Sequence, residues 1–356
     1  MNKAKFALIA SLAGIGFSLS APIANAQGGV FGCPDGSACT DPVGYVTSTL
    51  KGSADGVAQR ITLVGLGLFN AIEYQSEVTT VDPGDLVVNL TAGDLDGVDY
   101  TPTDLSNPDY FIEIVTGTHA GLMFDIADND NNSLTLTQAA TGIDIATESI
   151  RVRKHWKLGG TVSNPGVFGP SNEAGLLASD NITAADLIQV FSPAGSKTYW
   201  YAPGAGGWID GAVFVNNVTL YPDQGIVVRR LGQVDIDLQL LGAVKTGVSG
   251  LTLENGFSIV GNVYPTPVTL ADSGLFTGSE ATGVRANDTI TQADTIRIID
   301  GTGAIKTYWY APSAGGWIDG SNFADDVEIP VGGAIVLDRK AASINFIQPE
   351  PYAAGN

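Results

Sequence analysis

Short apolar segments separated by polar turn residues recur along the whole chain, and they predict β-strands. Strand-forming residues are β-branched or aromatic, and Gly, Pro, Asp and Asn punctuate them. In the C-terminal third such segments fall at 257–263, 295–299, 306–311, 327–329, 334–338 and 343–347. In the N-terminal half they fall at 45–50, 61–68, 86–90, 110–115, 122–126 and 133–137. Because helical periodicity is not sustained after the N-terminus, we expect an all-β fold of tandem β-sandwich or β-barrel-like domains.

A long sequence repeat marks the second half of the chain. The segment KTYWYAPGAGGWIDG at 197–211 recurs as KTYWYAPSAGGWIDG at 306–320, with 14 of 15 positions identical. The similarity extends to three further pairs of segments. These are NITAADLIQV (from Asn181) with DTITQADTIRI (from Asp288), QGIVVRR (from Gln224) with GAIVLDR (from Gly333), and KHWKLGGTV (from Lys154) with GFSIVGNVY (from Gly256). The repeat period of about 109 residues is longer than the roughly 20–50 residues of solenoid repeats. It indicates a duplicated domain.

The N-terminus carries the features of an exported protein. Lys3 and Lys5 precede an apolar run at 6–19, and Ala24-Asn25-Ala26 supplies the small residues of a cleavage site. This pattern is typical of a Sec-type signal peptide, with an uncleaved anchor as the alternative. The predicted parts are therefore a signal peptide (1–26), an N-terminal arm (27–40), a β domain (41–152), repeat domains at 153–250 and 251–350, and a tail (351–356).

Cysteine content and charge fit a secreted or cell-surface location. Cys33 and Cys39 lie just after the cleavage site, and in an oxidising compartment we expect them to form a disulfide. Cleavage leaves 15 basic and 37 acidic residues, a net charge of −22. Such a surface repels nucleic acid and anionic membranes. No later segment approaches the length of a transmembrane helix.

Several segments carry a family resemblance. The chain resembles an uncharacterised family of secreted proteins abundant in Verrucomicrobia at TDPVGYVT (40–47), YFIEIVTGTHAGLMFDI (110–126), SLTLTQ (133–138), IRVRKHWKLGG (150–160) and GIVVRR (225–230). The second repeat is similar to a module of bacterial surface proteins with the pattern FxIVGN…W…G…VR. The resemblance covers residues 40 to about 240, and it implies a secreted bacterial protein without catalytic residues.

The repeated aromatic segment has two interpretations. Along a strand the two tyrosines share one face and the tryptophan between them takes the other, and the Gly-Gly pair allows a sharp turn before the next tryptophan. These side chains either fill the core of each domain or form a platform that stacks on sugar rings. The candidate ligand-binding residues are Tyr199, Trp200, Tyr201, Trp208 and Asp210 in the first copy and Tyr308, Trp309, Tyr310, Trp317 and Asp319 in the second.

A weak calcium site is the one metal candidate. Asp128, Asp130 and Asn132 have the spacing of the first calcium ligands in an EF-hand loop, but Ser133 and Ala139 replace the Gly and Glu that such a loop requires. A looser Ca²⁺ site made of loop oxygens remains open, and a polar turn is the simpler interpretation. We otherwise expect no cofactor.

The sequence marks no catalytic residues. His119 and His155 are the only histidines, and no G-x-S-x-G elbow accompanies them. A glycosidase needs only two carboxylates, and nothing singles out a pair. We expect a non-enzymatic structural or adhesive protein, such as a self-assembling filament or surface-layer subunit, that associates with itself or with cell-surface components. Carbohydrate binding through the YWY hairpins, with polysaccharide as partner, is the alternative.

Overall fold

The computed structural model describes residues 41–352 except 83, 85, 91–94, 140–144, 163, 165, 193–194 and 301. The predicted signal peptide, N-terminal arm and Cys33–Cys39 disulfide lie outside these residues. The described residues belong to a compact unit that spans Cys39–Asn356. Their single helical element is a 3-10 turn at Ile182–Ala184. The structure therefore confirms the predicted all-β fold. No helix among the described residues is long and apolar enough to cross a membrane.

The described part of the chain contains 26 strands, numbered here in chain order. The N-terminal half contains β1 (Val43–Leu50), β2 (Arg60–Val64), β3 (Ile72–Glu77), β4 (Thr80–Val81), β5 (Val87–Asn89), β6 (Tyr110–Ile114), β7 (Met123–Asn129), β8 (Ser133–Leu136), β9 (Ser149–Lys154) and β10 (Trp156–Lys157). The middle contains β11 (Leu187–Ser192), β12 (Gly195–Ala202), β13 (Gly207–Asp210), β14 (Val213–Phe214), β15 (Thr219–Leu220), β16 (Ile226–Arg230) and β17 (Ile236–Ala243). The C-terminal part contains β18 (Ser249–Leu253), β19 (Gly256–Gly261), β20 (Val268–Thr269), β21 (Thr295–Ile299), β22 (Ile305–Ala311), β23 (Gly316–Ile318), β24 (Glu328–Ile329), β25 (Ala334–Arg339) and β26 (Ile344–Gln348).

The two repeats have the same sheet topology. In the second repeat, the main sheet has the strand order β19-β25-β21-β22-β23, and the pairs β18-β26 and β20-β24 complete the domain. In the first repeat, the main sheet has the order β14-β13-β12-β11-β16-β2, with the pairs β1-β17 and β10-β15. Each strand of the second repeat thus has a counterpart in the first. Each repeat also encloses its own apolar core.

The first repeat is interrupted by an inserted domain. Its strands β1 and β2 precede a seven-stranded antiparallel sheet of order β3-β9-β6-β7-β8-β5-β4, and the repeat resumes at β10. The inserted sheet has a separate core, built from alternate apolar positions such as Ile112, Ile126 and Val152. In the second repeat, only residues 262–267 join the strands β19 and β20, which correspond to β2 and β10.

This arrangement differs from one predicted domain boundary and from one predicted match between the repeats. The predicted domain 41–152 includes β1 and β2, yet these strands pair with β17 and β16 and bury Val46, Leu50 and Val64 in the core of the first repeat. The match of the Lys154 segment with the Gly256 segment is also wrong. The structural counterpart of Gly256–Gly261 is β2, because both strands pair with the Arg-ending strand of their repeat.

The two repeats contact each other through reciprocal backbone hydrogen bonds. The amide of Gly65 donates to the carbonyl of Gly332 at 2.9 Å, and the amide of Gly261 donates to the carbonyl of Asp223 at 2.9 Å. Gly65 and Gly261 occupy the same place in the two repeats, as do Asp223 and Gly332. Reciprocal contacts between equivalent residues are the mark of a two-fold interface. The repeats are therefore related by an approximate two-fold axis.

A small apolar cluster lies at this axis, on the outer faces of the two main sheets. Leu63 and Val227 of the first repeat pack there with Ala334 of the second. The partly buried side chains around them include further equivalent pairs, such as Phe191 with Ile299. Gly225, the counterpart of Ala334, leaves no room for a side chain, since a Cβ there would lie 2.6 Å from the Ala334 Cβ. The close approach of the sheets explains this glycine.

Candidate functional site

The repeated aromatic segment builds a hairpin in each repeat, as predicted. Tyr201 pairs with Trp208 across β12 and β13, and their rings lie 5.6 Å apart at 80°. The equivalent Tyr310 and Trp317 rings lie 5.8 Å apart at 88°. The turn between the strands uses a positive φ of 72° at Gly206, a backbone conformation that glycine adopts without strain. The near-identity of the two segments thus reflects one packing arrangement made twice.

The predicted division of the aromatic side chains between two faces is confirmed. Tyr199 and Trp208 lie in the core of the first repeat, and Tyr308 and Trp317 lie in the core of the second. Trp200 and Trp309 point to the opposite face of the sheet. Burial raises the pKa of the Tyr199 hydroxyl to about 12, with a further contribution from Asp210.

Trp200 and Trp309 are also buried, although they lie on the outer face of their sheets. Their exposed fractions are 6% and 8%. In the first repeat, Ala185 packs on Trp200 together with Leu187 and Ile209. In the second repeat, Ala293 takes the place of Ala185 beside Trp309. The residues before β11 and β21 therefore cover the tryptophan that a sugar would have to contact.

The covering segments are fixed by a buried ion pair that occurs in both repeats. Asp186 lies 3.0 Å from Arg230, and Asp294 lies 3.0 Å from Arg339. Asp186 also accepts backbone amides from both sides, from Leu177 and from the two residues after Arg230. The sequence could have indicated this pair. Both copies keep the aspartate of Thr-x-Ala-Asp, and both keep an arginine at the end of the later strand, VVRR or VLDR.

These positions leave little of the predicted platform accessible. The four tryptophans are buried, Tyr201 and Tyr310 are half-buried, and Asp319 alone among the ten candidate residues is exposed. The side chain of Asp319 accepts a hydrogen bond from Asn322 in its own turn. The aromatic rings of both hairpins therefore serve the packing of their domains.

The exposed aromatic residue of each hairpin comes after the repeated motif. Phe214 is 56% exposed and Phe323, its counterpart, is 67% exposed. Phe214 pairs with Ile209 and Phe323 pairs with Ile318. In each main sheet one edge strand, β2 or β19, contacts the other repeat. Both phenylalanines lie at the opposite edge. Sequence analysis missed these residues, although both follow Trp-Ile-Asp-Gly at the same distance.

Of the predicted calcium residues, Asp130 and Asn132 lie in the polar turn between β7 and β8, and Asp128 lies near the end of β7. Asp130 accepts the amides of Asn132 and Ser133, and these hydrogen bonds lower the pKa of its carboxyl. Asp128 accepts a hydrogen bond from the Thr101 hydroxyl. Among the described residues, no group of three or more His, Cys, Asp or Glu side chains could hold a metal. Calcium binding by Asp128, Asp130 and Asn132 stays a prediction.

A buried polar cluster joins the inserted domain to the first repeat. Asp125 of β7 accepts hydrogen bonds from His155 Nε2 at 2.8 Å and from the Tyr221 hydroxyl at 3.0 Å. Beside it, Lys157 lies 2.8 Å from Asp109. The chain positions of these residues are up to 112 apart, so no local pattern could have brought them together.

The cluster has the Asp–His half of a catalytic triad, and its geometry favours a packing role. The carboxylate of Asp125 selects the tautomer with the proton on His155 Nε2. A nucleophile would then have to lie at Nδ1, which is buried and has no hydrogen-bond partner in the described structure. Burial lowers the pKa of His155, which keeps the imidazole neutral near pH 7. The second histidine, His119, pairs with Glu148 at 3.1 Å.

A second buried cluster lies where the inserted domain meets the start of β1 and the link between the repeats. Glu113 of the inserted domain binds Arg153 at 3.0 Å and also contacts Lys245, which lies in the link between the repeats. Arg153 in turn binds Asp41, which precedes β1, at 2.6 Å. Burial alone would raise the pKa of Glu113, but Lys245 and Arg153 outweigh it and hold the pKa below its usual value. The cluster fixes the inserted domain to the residue before β1 and to the link between the repeats.

The turn at Asp223 gives the domain junction a measurable pH dependence. Burial raises the pKa of the Asp223 carboxyl from 3.8 to about 6, and the nearby Asp125 adds to this shift. Between pH 3.8 and about pH 6, the Asp223 carboxyl is protonated in the folded state and ionised in the unfolded state. The free energy of unfolding therefore falls as the pH rises through this range. The slope is up to about 1.4 kcal/mol per pH unit.

The variant Asp223→Asn isolates this effect. We expect the unfolding free energy of the wild type, minus that of Asp223→Asn, to increase as the pH falls from 6 to 4. His155 is present in both proteins, so its opposite contribution, a loss of stability on acidification, cancels. Urea unfolding at several pH values measures the difference. A difference that is constant, or that grows with rising pH, contradicts the assignment.

Comparisons of the chain with protein-family models, with curated proteins and with solved structures gave no match.

Proposed function

We propose that this chain is a secreted, non-enzymatic structural or adhesive protein of the cell surface or extracellular space, and that it assembles with copies of itself. The observation that carries the proposal is the pair of exposed phenylalanines, Phe214 and Phe323, at equivalent sheet edges. A sheet edge presents unpaired backbone groups that can pair with a strand of another molecule. An exposed aromatic side chain beside such an edge adds apolar area to the contact.

The relation between the repeats makes the molecule bivalent. Each main sheet uses one side, at β2 or β19, for contact with the other repeat. The exposed phenylalanine lies at the opposite edge of each sheet, beside β13 in the first repeat and beside β23 in the second. One chain therefore offers two similar edges that point away from the shared axis. Two binding edges on one body generate an open chain of subunits when the contact does not close into a ring.

The buried junctions favour a structural role. The Glu113 cluster ties the inserted domain to the link between the repeats, and the amide of Gly250 in the second repeat donates to the carbonyl of Gly121. The hydrogen bonds of Gly65 and Gly261 tie the repeats to each other. A subunit that transmits force or sets a spacing benefits from domains that do not hinge. The alternative of sugar binding by the YWY hairpins is less well supported, because the rings of Trp200 and Trp309 are covered.

Self-assembly is tested by light scattering and electron microscopy of the mature protein over a range of concentrations. We expect multimers that grow with concentration. The single variants Phe214→Asp and Phe323→Asp should stop at dimers or smaller species, and the double variant should be monomeric. The control is Val162→Asp, because Val162 is 91% exposed and lies outside both edges; it should assemble like the wild type.

Two results would count against the proposal. The first is a wild-type protein that is monomeric at every concentration. The second is a folded double variant that assembles as the wild type does. The circular dichroism spectrum of each variant separates a lost contact from a lost fold, since these exposed side chains contribute little to the core.

A further inference from the structure

A polar cleft lies between the inserted domain and the first repeat. Its volume is about 240 Å³. Asp109 and Tyr110 line it from the inserted domain, and Asn164 and Asn217 line it from loops of the first repeat. Lys154, His155 and Lys157 line the cleft between them. The cleft is smaller than the roughly 300–1,000 Å³ of sites for drug-sized ligands, so it suits a small ligand.

The charged groups of the cleft are already paired. Lys157 lies 2.8 Å from Asp109, and Lys154 lies 3.1 Å from Glu73. The Lys157 ammonium also donates to the carbonyls of Asn107 and Pro108. An anion would have to compete with these carboxylates, and a cation with these ammonium groups. The cleft is therefore matched to a ligand without net charge.

The rim offers neutral hydrogen-bonding groups. Asn164 and Asn217 are exposed, and a side-chain amide both donates and accepts hydrogen bonds. Each amide can thus bind adjacent hydroxyls of one ligand, while the partly exposed carboxylate of Asp109 supplies a further acceptor. A neutral molecule with several hydroxyl groups can form hydrogen bonds with all of these amide and carboxylate groups at once.

The second repeat shows that the duplicated fold alone does not make this cleft. There Thr269 stands at the position of Lys157, and Asp326 stands at the position of Asn217. The residues 262–267 also replace the inserted domain, which supplies Asp109 and Tyr110. The cleft exists because the insertion docks against β10 and the residues that follow it.

We propose that this cleft binds one neutral sugar ring, such as a hexose unit of a polysaccharide, through Asn164, Asn217 and Asp109. This site differs from the YWY hairpins, and it does not depend on self-assembly. A single hexose is a small ligand with few contacts, so we expect a dissociation constant on the order of 1 mM.

The test is a titration of the ¹⁵N-labelled protein, followed by NMR. Glucose, galactose, mannose, N-acetylglucosamine and inorganic phosphate are added separately. We expect at least one sugar to shift the side-chain amide signals of Asn164 and Asn217 saturably, with no comparable effect of phosphate. Asn164→Ala and Asn217→Ala should each weaken binding about tenfold. Asp326→Ala, at the equivalent place in the second repeat, should leave binding unchanged.

Three outcomes would overturn the proposal. One is that no sugar shifts the cleft signals at tens of millimolar. Another is that phosphate shifts them and the sugars do not, which would make the site an anion site. The last is that a sugar binds but the two asparagine variants bind it as the wild type does. The assembly state of the same samples, measured by light scattering, is scored separately.

Discussion

Replacing Glu113 with alanine is expected to lower the free energy of unfolding by about 3–5 kcal/mol. Glu113 is 1% exposed and contacts both Arg153 and Lys245. Its removal leaves two buried cations without their shared carboxylate. The loss should be largest at neutral pH and smaller in acid, because the pKa of Glu113 is lowered in the folded state and its contribution disappears as the pH falls through that pKa.

The control for this prediction is the exposed ion pair between Lys51 and Asp235, whose atoms approach to 2.8 Å. Exposed ion pairs of this kind contribute little to stability because water screens the charges, so Asp235→Ala should change stability little. Thermal or urea unfolding of both variants gives the comparison. Equal, small losses for Glu113→Ala and Asp235→Ala would mean that the Glu113 cluster is open to water.

Replacing Trp208 or Trp317 with alanine is expected to cost about 3–5 kcal/mol in each repeat. Both rings are fully buried and contact a tyrosine of the adjacent strand. The two losses should be similar, because the rings occupy the same place in the duplicated fold. A folded Trp208→Ala protein of wild-type stability would show that the ring is not part of the core.

Phenylalanine substitutions separate packing from hydrogen bonding. The Trp208 indole donates to the carbonyl of Gly169 at 2.7 Å. The Trp200 indole nitrogen is buried without a partner in the described structure. Trp208→Phe should therefore cost about 1 kcal/mol more than Trp200→Phe. Unfolding in urea measures both, and the reverse order would contradict the assigned contacts.

Each of the twelve segments predicted from local patterns overlaps a strand, although the described residues contain 26 strands in all. The predicted segment at 295–299 is β21, and the segment at 334–338 covers all but the last residue of β25. Alternating apolar residues and turn-forming residues are local properties, so they can be recognised without knowledge of the partner strand. The alternation within YWY likewise placed Tyr199 and Trp200 on opposite faces, as the cores show.

The domain boundaries depend on long-range strand pairing, so the sequence predicted them less well than the strands. Strands β1 and β2 lie next to the inserted domain in sequence but pair with β17 and β16. The similarity of ITLVG at 61–65 to FSIVG at 257–261 was visible in the sequence. It was missed because the insertion changes the spacing between matching segments, so a search at one fixed period finds only the part after the insertion.

The burial of Trp200 and the cleft beside Asn217 follow from tertiary contacts. Periodicity places Trp200 on an outer face. The loop that covers it is held by the ion pair of Asp186 with Arg230, which joins distant parts of the chain. The cleft needs residues from the inserted domain and from two loops of the first repeat. Their proximity results from domain docking, which a local pattern does not encode.

Two copies of one fold face each other across an approximate two-fold axis, with a third domain inserted in the first copy. Amide hydrogen exchange at Gly65 and Gly261 tests this arrangement most directly, because these amides make the reciprocal hydrogen bonds to Gly332 and Asp223. We expect slow exchange at both amides, with similar protection. Exchange of either amide at the rate of an exposed, unbonded one would contradict it.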